Sequence, residues 1–220
     1  MNQLFVFSFL LAIASSYAAV VPAASYVVSI QGKDGGAPIC GGVLINEKTV
    51  LTTAQCLASY DIEQFVVSVN NGSQIIKIAA HTFDAAFDFV TMENNIGILK
   101  LAKSAKANVI KLAQEQPKTG ASGVIYSWST NGILNRVDVE LISTSDCASG
   151  DYGWSEDEVL KTMVCGSVKN SNTCVGRFGS PVVSDNKLVG LTSWGGCGTN
   201  GQAAVFTDVP SLRSWIKSSL

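Results

Sequence analysis

Six cysteines constrain this chain more than any other feature of its 220 residues. An even number of cysteines behind an export signal predicts three disulfides formed in an oxidising compartment. If cysteines adjacent in sequence pair, each bridge closes a loop of roughly twenty residues and stabilises the fold by about 3 kcal/mol. The sequence alone leaves other pairings open. The cysteines are Cys40, Cys56, Cys147, Cys165, Cys174 and Cys197.

The N-terminus has the pattern of an export signal. Residues 4–14 form an apolar run, and the small-residue segment SSYA follows at 15–18. The run is too short to cross a bilayer but has the length of a signal-peptide core with its cleavage site. The alternative is a buried strand or helix segment, and the first three residues, MNQ, lack the usual lysine or arginine. We predict residues 1–18 to be a signal peptide and the mature protein to be secreted and extracellular.

Composition and charge exclude several classes of function. Hydrophobic residues make up 47% of the chain and charged residues 15%, which is typical of a globular protein. The formal net charge of -2 provides no broad attraction for nucleic acid or an anionic membrane, and neither is expected as a partner. The chain has a single histidine, His81, and no CxxC pair, so we expect no metal site and no cofactor.

Short segments with the pattern of β-strands recur along the chain. Residues 137–141 (VDVEL) alternate between apolar and charged side chains, as in a strand with one buried face. Polar turns between apolar segments are typical of hairpins, and such regular short strands favour a sandwich or barrels. The first predicted turn contains Asn71 in the sequon NGS, a predicted N-glycosylation site. The two predicted hairpins pair residues 65–69 with 74–78 and residues 181–184 with 188–193.

The C-terminal segment alone has the pattern of a helix, since its apolar residues fall on one helical face. A polar stretch at residues 113–122 contains one proline and one glycine and is the best candidate for a linker between two halves. The helical face consists of Leu212, Trp215, Ile216 and Leu220.

Five segments resemble the trypsin/chymotrypsin family of serine proteases, in the family's own order. The resemblance runs from about Ser25 to the C-terminal helix. It implies an all-β, chymotrypsin-like fold of two six-stranded antiparallel β-barrels with a C-terminal helix, at residues 19–113 and 114–220. It also implies the three bridges Cys40–Cys56, Cys147–Cys165 and Cys174–Cys197. The five segments are 40–45 (CGGVLI, like CGG), 51–56 (LTTAQC, like LTAAHC), 94–101 (NNIGILKL, like NDIALLKL), 176–181 (GRFGSP, like GDSGGP) and 192–195 (TSWG, like SWG).

The resemblance places the family's catalytic triad at Gln55, Asn95 and Phe178. An amide does not take up a proton near neutral pH, and a phenyl ring has no atom that attacks a carbonyl. Asparagine in place of the orienting aspartate costs roughly 10⁴-fold in the serine-protease template. Ser180 is the nearest other hydroxyl, and a triad around His81 is the alternative. We predict a chain without catalytic residues that is not an enzyme.

The resemblance also implies changes in the supporting loops. Gly176 and Arg177 occupy the oxyanion loop, where the family has an aspartate just before its nucleophile. Asn172 stands at the base of the specificity pocket, so no fixed charge would meet a lysine or arginine side chain. Trp194 and Gly195 form the pocket wall, and Ala204 replaces a wall glycine. These departures predict that substrate does not bind in the usual mode.

The combined pattern is similar to arthropod serine protease homologues, particularly the inactivated protease paralogues of parasitic scabies mites. That resemblance implies a secreted, proteolytically inactive protein of the gut lumen that binds proteins. It implies partners in host defence, such as the complement cascade. The alternatives are a cofactor or decoy in an arthropod protease cascade, and a residual hydrolase with unorthodox catalytic groups.

Overall fold

The computed structural model describes residues 24–129, 131–168, 176–195 and 201–220. Within these ranges the chain is built mostly from strands, with three short α-helices and one 3₁₀ turn. The predicted signal peptide at 1–18 lies outside the described residues, as do Asn172, Cys174 and Cys197.

The first six strands close into a barrel. Their order around the barrel is β1-β2-β3-β6-β5-β4, and β4 pairs with β1 to complete it. Apolar side chains that alternate along these strands fill the interior, among them Ile30, Leu44, Val67 and Leu99. The strands are β1 (Val27–Gly32), β2 (Cys40–Asn46), β3 (Thr49–Thr52), β4 (Phe65–Val69), β5 (Gln74–Phe83) and β6 (Gly97–Leu101).

A second ring of six strands follows in the chain. The order β11-β8-β9-β10-β13-β12 closes because β11 also pairs with β12. The short strand β7 (Lys111–Leu112) adds to this ring by parallel pairing with β12. The six strands are β8 (Ser122–Trp128), β9 (Leu134–Ile142), β10 (Met163–Ser167), β11 (Pro181–Ser184), β12 (Lys187–Gly195) and β13 (Ala204–Asp208).

Short helices follow strands at three points. Helix α1 (Ala54–Ala58) begins directly after β3, α2 (Thr144–Cys147) follows β9, and α3 (Arg213–Ser218) lies near the C-terminus. Ile216 of α3 is fully buried, and Arg213 donates hydrogen bonds to two carbonyls just after β7 begins, at Leu112 and Ala113. Helix α3 therefore holds the C-terminus against the segment that joins the two barrels.

The barrels share an apolar cluster, so they pack directly on one another. Leu51 and Ile98 contribute to it from the first barrel, and Trp128 and Leu191 from the second. The indole N–H of Trp128 donates to the carbonyl of Val28 at 3.1 Å. This shared cluster fixes the positions of the two barrels' side chains relative to each other at their interface.

The fold predicted from the sequence is confirmed. Both barrels form, and the disulfides Cys40–Cys56 and Cys147–Cys165 are present. Residues 65–69 and 74–78 form the predicted hairpin, whose turn places Asn70 and Asn71 in the left-handed region. His81 lies exposed in β5, which extends to Phe83 and is longer than the predicted strand at 74–78. The proposed boundary at residue 113 stays a prediction.

Candidate site between the two barrels

Strand pairing brings Gln55 and Asn95 together. Strands β3 and β6 are antiparallel, with Thr52 opposite Gly97. Gln55 follows the end of β3 in helix α1, and Asn95 precedes the start of β6, so both lie at the same end of this strand pair. The two residues that the resemblance assigns to the triad from the first barrel are therefore neighbours.

Asn95 and Gln55 are joined by two hydrogen bonds, one between their side chains and one from the backbone of Gln55. Asn95 Nδ2 donates to Gln55 Oε1 at 2.9 Å, and Asn95 Oδ1 accepts from the backbone N–H of Gln55 at 2.9 Å. Both residues are buried. Because every contact is between neutral groups, the pair holds α1 against the start of β6 without burying a charge.

The second barrel continues this network through two hydroxyl groups. Asn95 Nδ2 also donates to Ser193 Oγ at 2.8 Å, and Thr207 Oγ1 donates to the carbonyl of Asn95 at 2.8 Å. Ser193 and Thr207 are buried on β12 and β13. Asn95 is thus hydrogen-bonded to both barrels, and we call Gln55, Asn95, Ser193 and Phe178 together the inter-barrel site.

Phe178 lies at the tip of a tightly held loop. Its carbonyl accepts from the backbone N–H of Gly41 at 2.8 Å, and the next residue, Gly179, donates to the carbonyl of Thr192 at 2.9 Å. Gly179 has a φ of 76°, and a Cβ there would approach Thr52 Oγ1 to 2.3 Å, so this position requires glycine. The Phe178 side chain itself remains 45% exposed. The loop therefore presents a phenyl ring on a fixed backbone.

The hydroxyl of Ser180, two residues after Phe178, already forms a hydrogen bond within the fold. It is fully buried, its Oγ donates to Ser127 Oγ at 3.0 Å, and its N–H donates to Thr192 Oγ1 at 3.0 Å. His81 is exposed on β5 and forms no hydrogen bond with Ser180 in the described part of the chain. The structure does not bring these two residues together as a triad.

Arg177 and Gly176 approach the second barrel at Ser127. The backbone N–H of Arg177 donates to Ser127 Oγ at 2.8 Å, and a Cβ on Gly176 would lie 1.8 Å from the same oxygen. The Arg177 side chain is half-buried, and no carboxylate of the described residues lies within ion-pair distance of it.

The region predicted as the specificity-pocket wall contains two indole rings in contact. Trp154 and Trp194 contact edge to face with 4.9 Å between ring centroids, and Trp154 Nε1 donates to the carbonyl of Ala203. Gly195 lies against Trp154 with a φ of 67°. Ala204 belongs to the apolar cluster inside the second barrel that also contains Phe206, and its place in the pocket wall stays a prediction. The base of this region, at Asn172, is outside the described residues.

Three hydroxyl groups that organise this region were not predicted from the sequence. Ser127, Ser193 and Thr207 each bond a residue of the other barrel or of the Phe178 loop. Ser193 lies inside the segment TSWG, but serine and threonine are common in strands and carry no signal of such a role. Pairing across strands, visible only in the fold, brings them to the site.

The chemistry of the site is that of neutral hydrogen-bonding groups beside an exposed phenyl ring. Neither amide takes up a proton, and phenylalanine provides no nucleophile. No group of three His, Cys, Asp or Glu side chains that could hold a metal ion occurs in the described ranges. Nor does any helix within those ranges have the length and apolarity needed to span a membrane.

Known proteins match this chain over most of its length. The family model described as Trypsin matches residues 13–216. Trypsin theta of Drosophila erecta is 38% identical over 210 residues, which are 87% of this chain and 79% of that protein. Trypsin of Sarcophaga bullata is 35% identical, over 82% of this chain and 78% of its own length.

The chain belongs to the trypsin family. A solved structure agrees: neuropsin, described as a serine protease expressed in the limbic system of mouse brain, superposes with a TM-score of 0.76. It is 26% identical and covers 90% of this chain and 96% of its own. The resemblance to trypsin-like serine proteases drawn from the sequence motifs is therefore confirmed at the level of the family.

These comparisons contradict the prediction that the chain is not an enzyme. The relatives are named trypsins and serine proteases, and nothing in the comparisons shows a lost triad. Membership of the trypsin family points to a protease. The prediction went wrong because it treated three side chains as decisive for the activity of the whole protein. That these three mark the family's triad positions stays a prediction.

Proposed function

We propose that this trypsin-family protein recognises a polypeptide partner at the inter-barrel site, with Phe178 as the apolar anchor. The observation that carries the proposal is the Phe178 ring, 45% exposed on a loop whose backbone is hydrogen-bonded on both sides. Aromatic side chains dominate the binding energy of protein interfaces. A ring on a fixed backbone loses little conformational entropy when a partner covers it.

The neutral network beneath the ring suits polypeptide recognition. Gln55, Asn95 and Ser193 offer hydrogen-bonding groups of the kind that pair with backbone amides, and none carries a charge. Proteins named trypsin and serine protease act on polypeptides, and the family supports the same class of ligand here. The partner is thus proposed from the chemistry of the site together with the family.

The setting we propose is extracellular. Trypsin-like proteases are typically secreted, and the N-terminal apolar run has the pattern of a signal peptide. The partners that we propose are host defence proteins such as those of the complement cascade. This class rests on the resemblance to mite and other arthropod homologues. The alternative role that we propose for the same binding site is that of a cofactor or decoy in an arthropod protease cascade.

Capture of partners by matched variants tests this proposal. The mature protein, its Phe178→Ala variant and an Ile133→Ala control are immobilised and exposed to host plasma and to arthropod haemolymph. Ile133 is a fitting control because it is 57% exposed and lies in the turn before β9. We expect proteins that the unmodified chain and the control retain and that Phe178→Ala loses. Identical captured sets for all three would contradict the proposal.

Proteolysis is the second candidate, favoured by the family. Ser193 has a hydroxyl in direct contact with the amide pair, since its Oγ accepts from Asn95 Nδ2. A hydrolase with unorthodox groups at this site would use that oxygen. A fluorophosphonate probe tests this directly, because it labels activated serines covalently. Labelling that disappears in Ser193→Ala would support the candidate, and an unlabelled Ser193 in a folded protein would exclude that serine.

A further inference from the structure

The turn between β4 and β5 presents an exposed asparagine–glycine pair. Asn71 and Gly72 are the central residues of this turn, which the Ser73 N–H closes by donating to the Asn70 carbonyl at 3.2 Å. Asn71 has a φ of 53° and Gly72 a φ of 88°, both in the left-handed region that a type I′ turn requires. Asn71 is exposed, and a Cβ on Gly72 would meet no atom outside its chain neighbours within 4 Å. The fold therefore places no side chain over this pair.

The residues on either side of the pair anchor the turn. Asn70 Nδ2 donates to the carbonyl of Lys106 at 3.0 Å, and Gln74 Nε2 donates to the same carbonyl at 2.9 Å. Within the described part of the chain, neither the Asn71 side chain nor the N–H of Gly72 has a hydrogen-bond partner. The Asn71 carboxamide can therefore approach the Gly72 nitrogen without the loss of a hydrogen bond from either group.

An asparagine that precedes glycine can cyclise through the backbone. The Gly72 nitrogen attacks Asn71 Cγ and forms a C–N bond, which gives a succinimide ring. The bond from Cγ to Nδ2 breaks, and Nδ2 leaves as ammonia with the proton that the Gly72 nitrogen gives up. Water then opens the ring at either carbonyl and yields aspartate or isoaspartate. Glycine favours ring closure because it has no Cβ and reaches backbone angles that other residues rarely adopt.

A second asparagine–glycine pair, Asn131 and Gly132, provides a comparison within the same molecule. Both of these residues are exposed, as Asn71 and Gly72 are. Here, however, Ser129 Oγ donates to Asn131 Oδ1, and the N–H of Gly132 donates to the carbonyl of Ser129 at 3.0 Å. Both groups that would react are thus held by Ser129, and both hydrogen bonds must break before a ring can close.

We propose that Asn71 is a site of spontaneous deamidation and isomerisation, and that the fold directs this reaction to Asn71 rather than to Asn131. The product carries one more negative charge, which changes the formal net charge from -2 to -3. Isoaspartate also adds a methylene group to the backbone of the turn. The predicted N-glycan would be attached to Nδ2, the atom that the reaction expels, so the two modifications exclude one another at Asn71.

The test uses the mature protein made without a glycan in a bacterial periplasm, where disulfides form. The protein is incubated in mildly alkaline buffer, and the peptides that contain residue 71 or residue 131 are quantified over time by mass spectrometry. Labelling by an isoaspartyl methyltransferase identifies isoaspartate. We expect Asn71 to react roughly tenfold faster than Asn131, because two hydrogen bonds stabilise the unreacted Asn131 site. In the reduced chain unfolded in urea, the two sites should react at similar rates.

Two variants separate the effect of the fold from that of the dipeptide sequence. Ser129→Ala removes the hydrogen bond to the Asn131 side chain, so it should raise the rate at Asn131 roughly fivefold and leave the rate at Asn71 unchanged. Asn71→Gln should abolish the gain of charge at this turn, because glutamine would have to close a larger ring. Near-ultraviolet circular dichroism shows that each variant is folded.

Three outcomes would overturn the proposal. The first is equal rates at Asn71 and Asn131 in the folded protein, because the fold would then exert no selection. The second is an Asn71 that reacts in the unfolded chain and stays intact in the folded protein, because the turn would then protect it. The third is an unchanged rate at Asn131 in Ser129→Ala, which would show that this hydrogen bond does not restrain the reaction.

Discussion

Asn95 is the side chain that connects the most parts of the inter-barrel site. Its amide reaches Gln55 and Ser193, and its carbonyl accepts from Thr207, so three elements depend on one residue. A buried amide is tolerated at such a position only when its donors and acceptor are all paired. That condition makes Asn95 sensitive to substitution for reasons of stability alone.

Replacing Asn95 with alanine should lower the free energy of unfolding by about 1–3 kcal/mol, because the Gln55 N–H and side chain lose their buried partner. Chemical denaturation of the mature protein with its disulfides intact measures the change. Asn108→Ala is the matched control, since Asn108 is exposed. A loss no larger than that of the control would mean that the amide pair contributes little.

Asp208 gives the protein a pH dependence at the residue scale. Burial raises the pKa of its carboxyl to about 6, against a hydrogen bond from Gln116 that lowers it. One oxygen accepts from Gln116 Nε2 at 2.9 Å, and the other, Oδ1, is buried with no hydrogen-bond partner among the described residues. In the unfolded chain the same carboxyl has a pKa near 4.

The folded state therefore holds this proton more tightly than the unfolded state. The stability that the protonated Asp208 carboxyl contributes is fully present below about pH 4 and is lost as the pH rises to about 6. Asp208→Asn should remove that loss, so it should gain on the order of 1–3 kcal/mol relative to the unmodified protein across this window. Urea unfolding at several pH values measures it, with the exposed Asp185→Asn as control. A constant difference between the two proteins across the window would show that Asp208 does not titrate there.

At the scale of elements, β2 and the Phe178 loop make a close contact between the barrels. A Cβ on Gly41 would lie 2.6 Å from Ser180 Oγ and 2.8 Å from Ser180 Cα. The backbone N–H of Gly41 also donates to the carbonyl of Phe178. Because the contact joins backbone atoms of Gly41 and of the Phe178 loop, a side chain at position 41 cannot be accommodated unless the backbone moves.

Gly41→Ala should destabilise the protein by roughly 1–3 kcal/mol through overpacking. It should also displace the Phe178 ring, so partner capture should fall with it. Gly32→Ala is the matched control, because the nearest atom to a Cβ there is 3.6 Å away. Thermal unfolding of the two variants makes the comparison. Equal melting temperatures of the two variants would show that the Phe178 loop can move to accommodate a side chain at position 41.

The sequence predicted the strands well and the site only in part. Strict alternation in residues 137–141 and the turn before Gln74 are local signals, and both elements formed. Ser193 and Thr207 could not be predicted, because their roles depend on pairing between β12, β13 and the chain before β6.

For the whole molecule, the trypsin-family fold places the inter-barrel site where the two barrels share their apolar cluster. A rigid scaffold that presents exposed aromatic residues on loops is suited to recognition. The family points to a protease, and binding of a polypeptide at the inter-barrel site is required of a protease and of a binding protein alike.

Photocrosslinking from position 178 tests the central claim most directly. Phe178 is replaced by benzoylphenylalanine, and the mature protein is irradiated in host plasma or arthropod haemolymph. A protein bearing the same group at Ile133 serves as the reference. We predict covalent adducts with defined proteins from position 178 and none of the same adducts from position 133. Absence of adducts at 178, or the same adducts from both positions, would contradict polypeptide binding at the inter-barrel site.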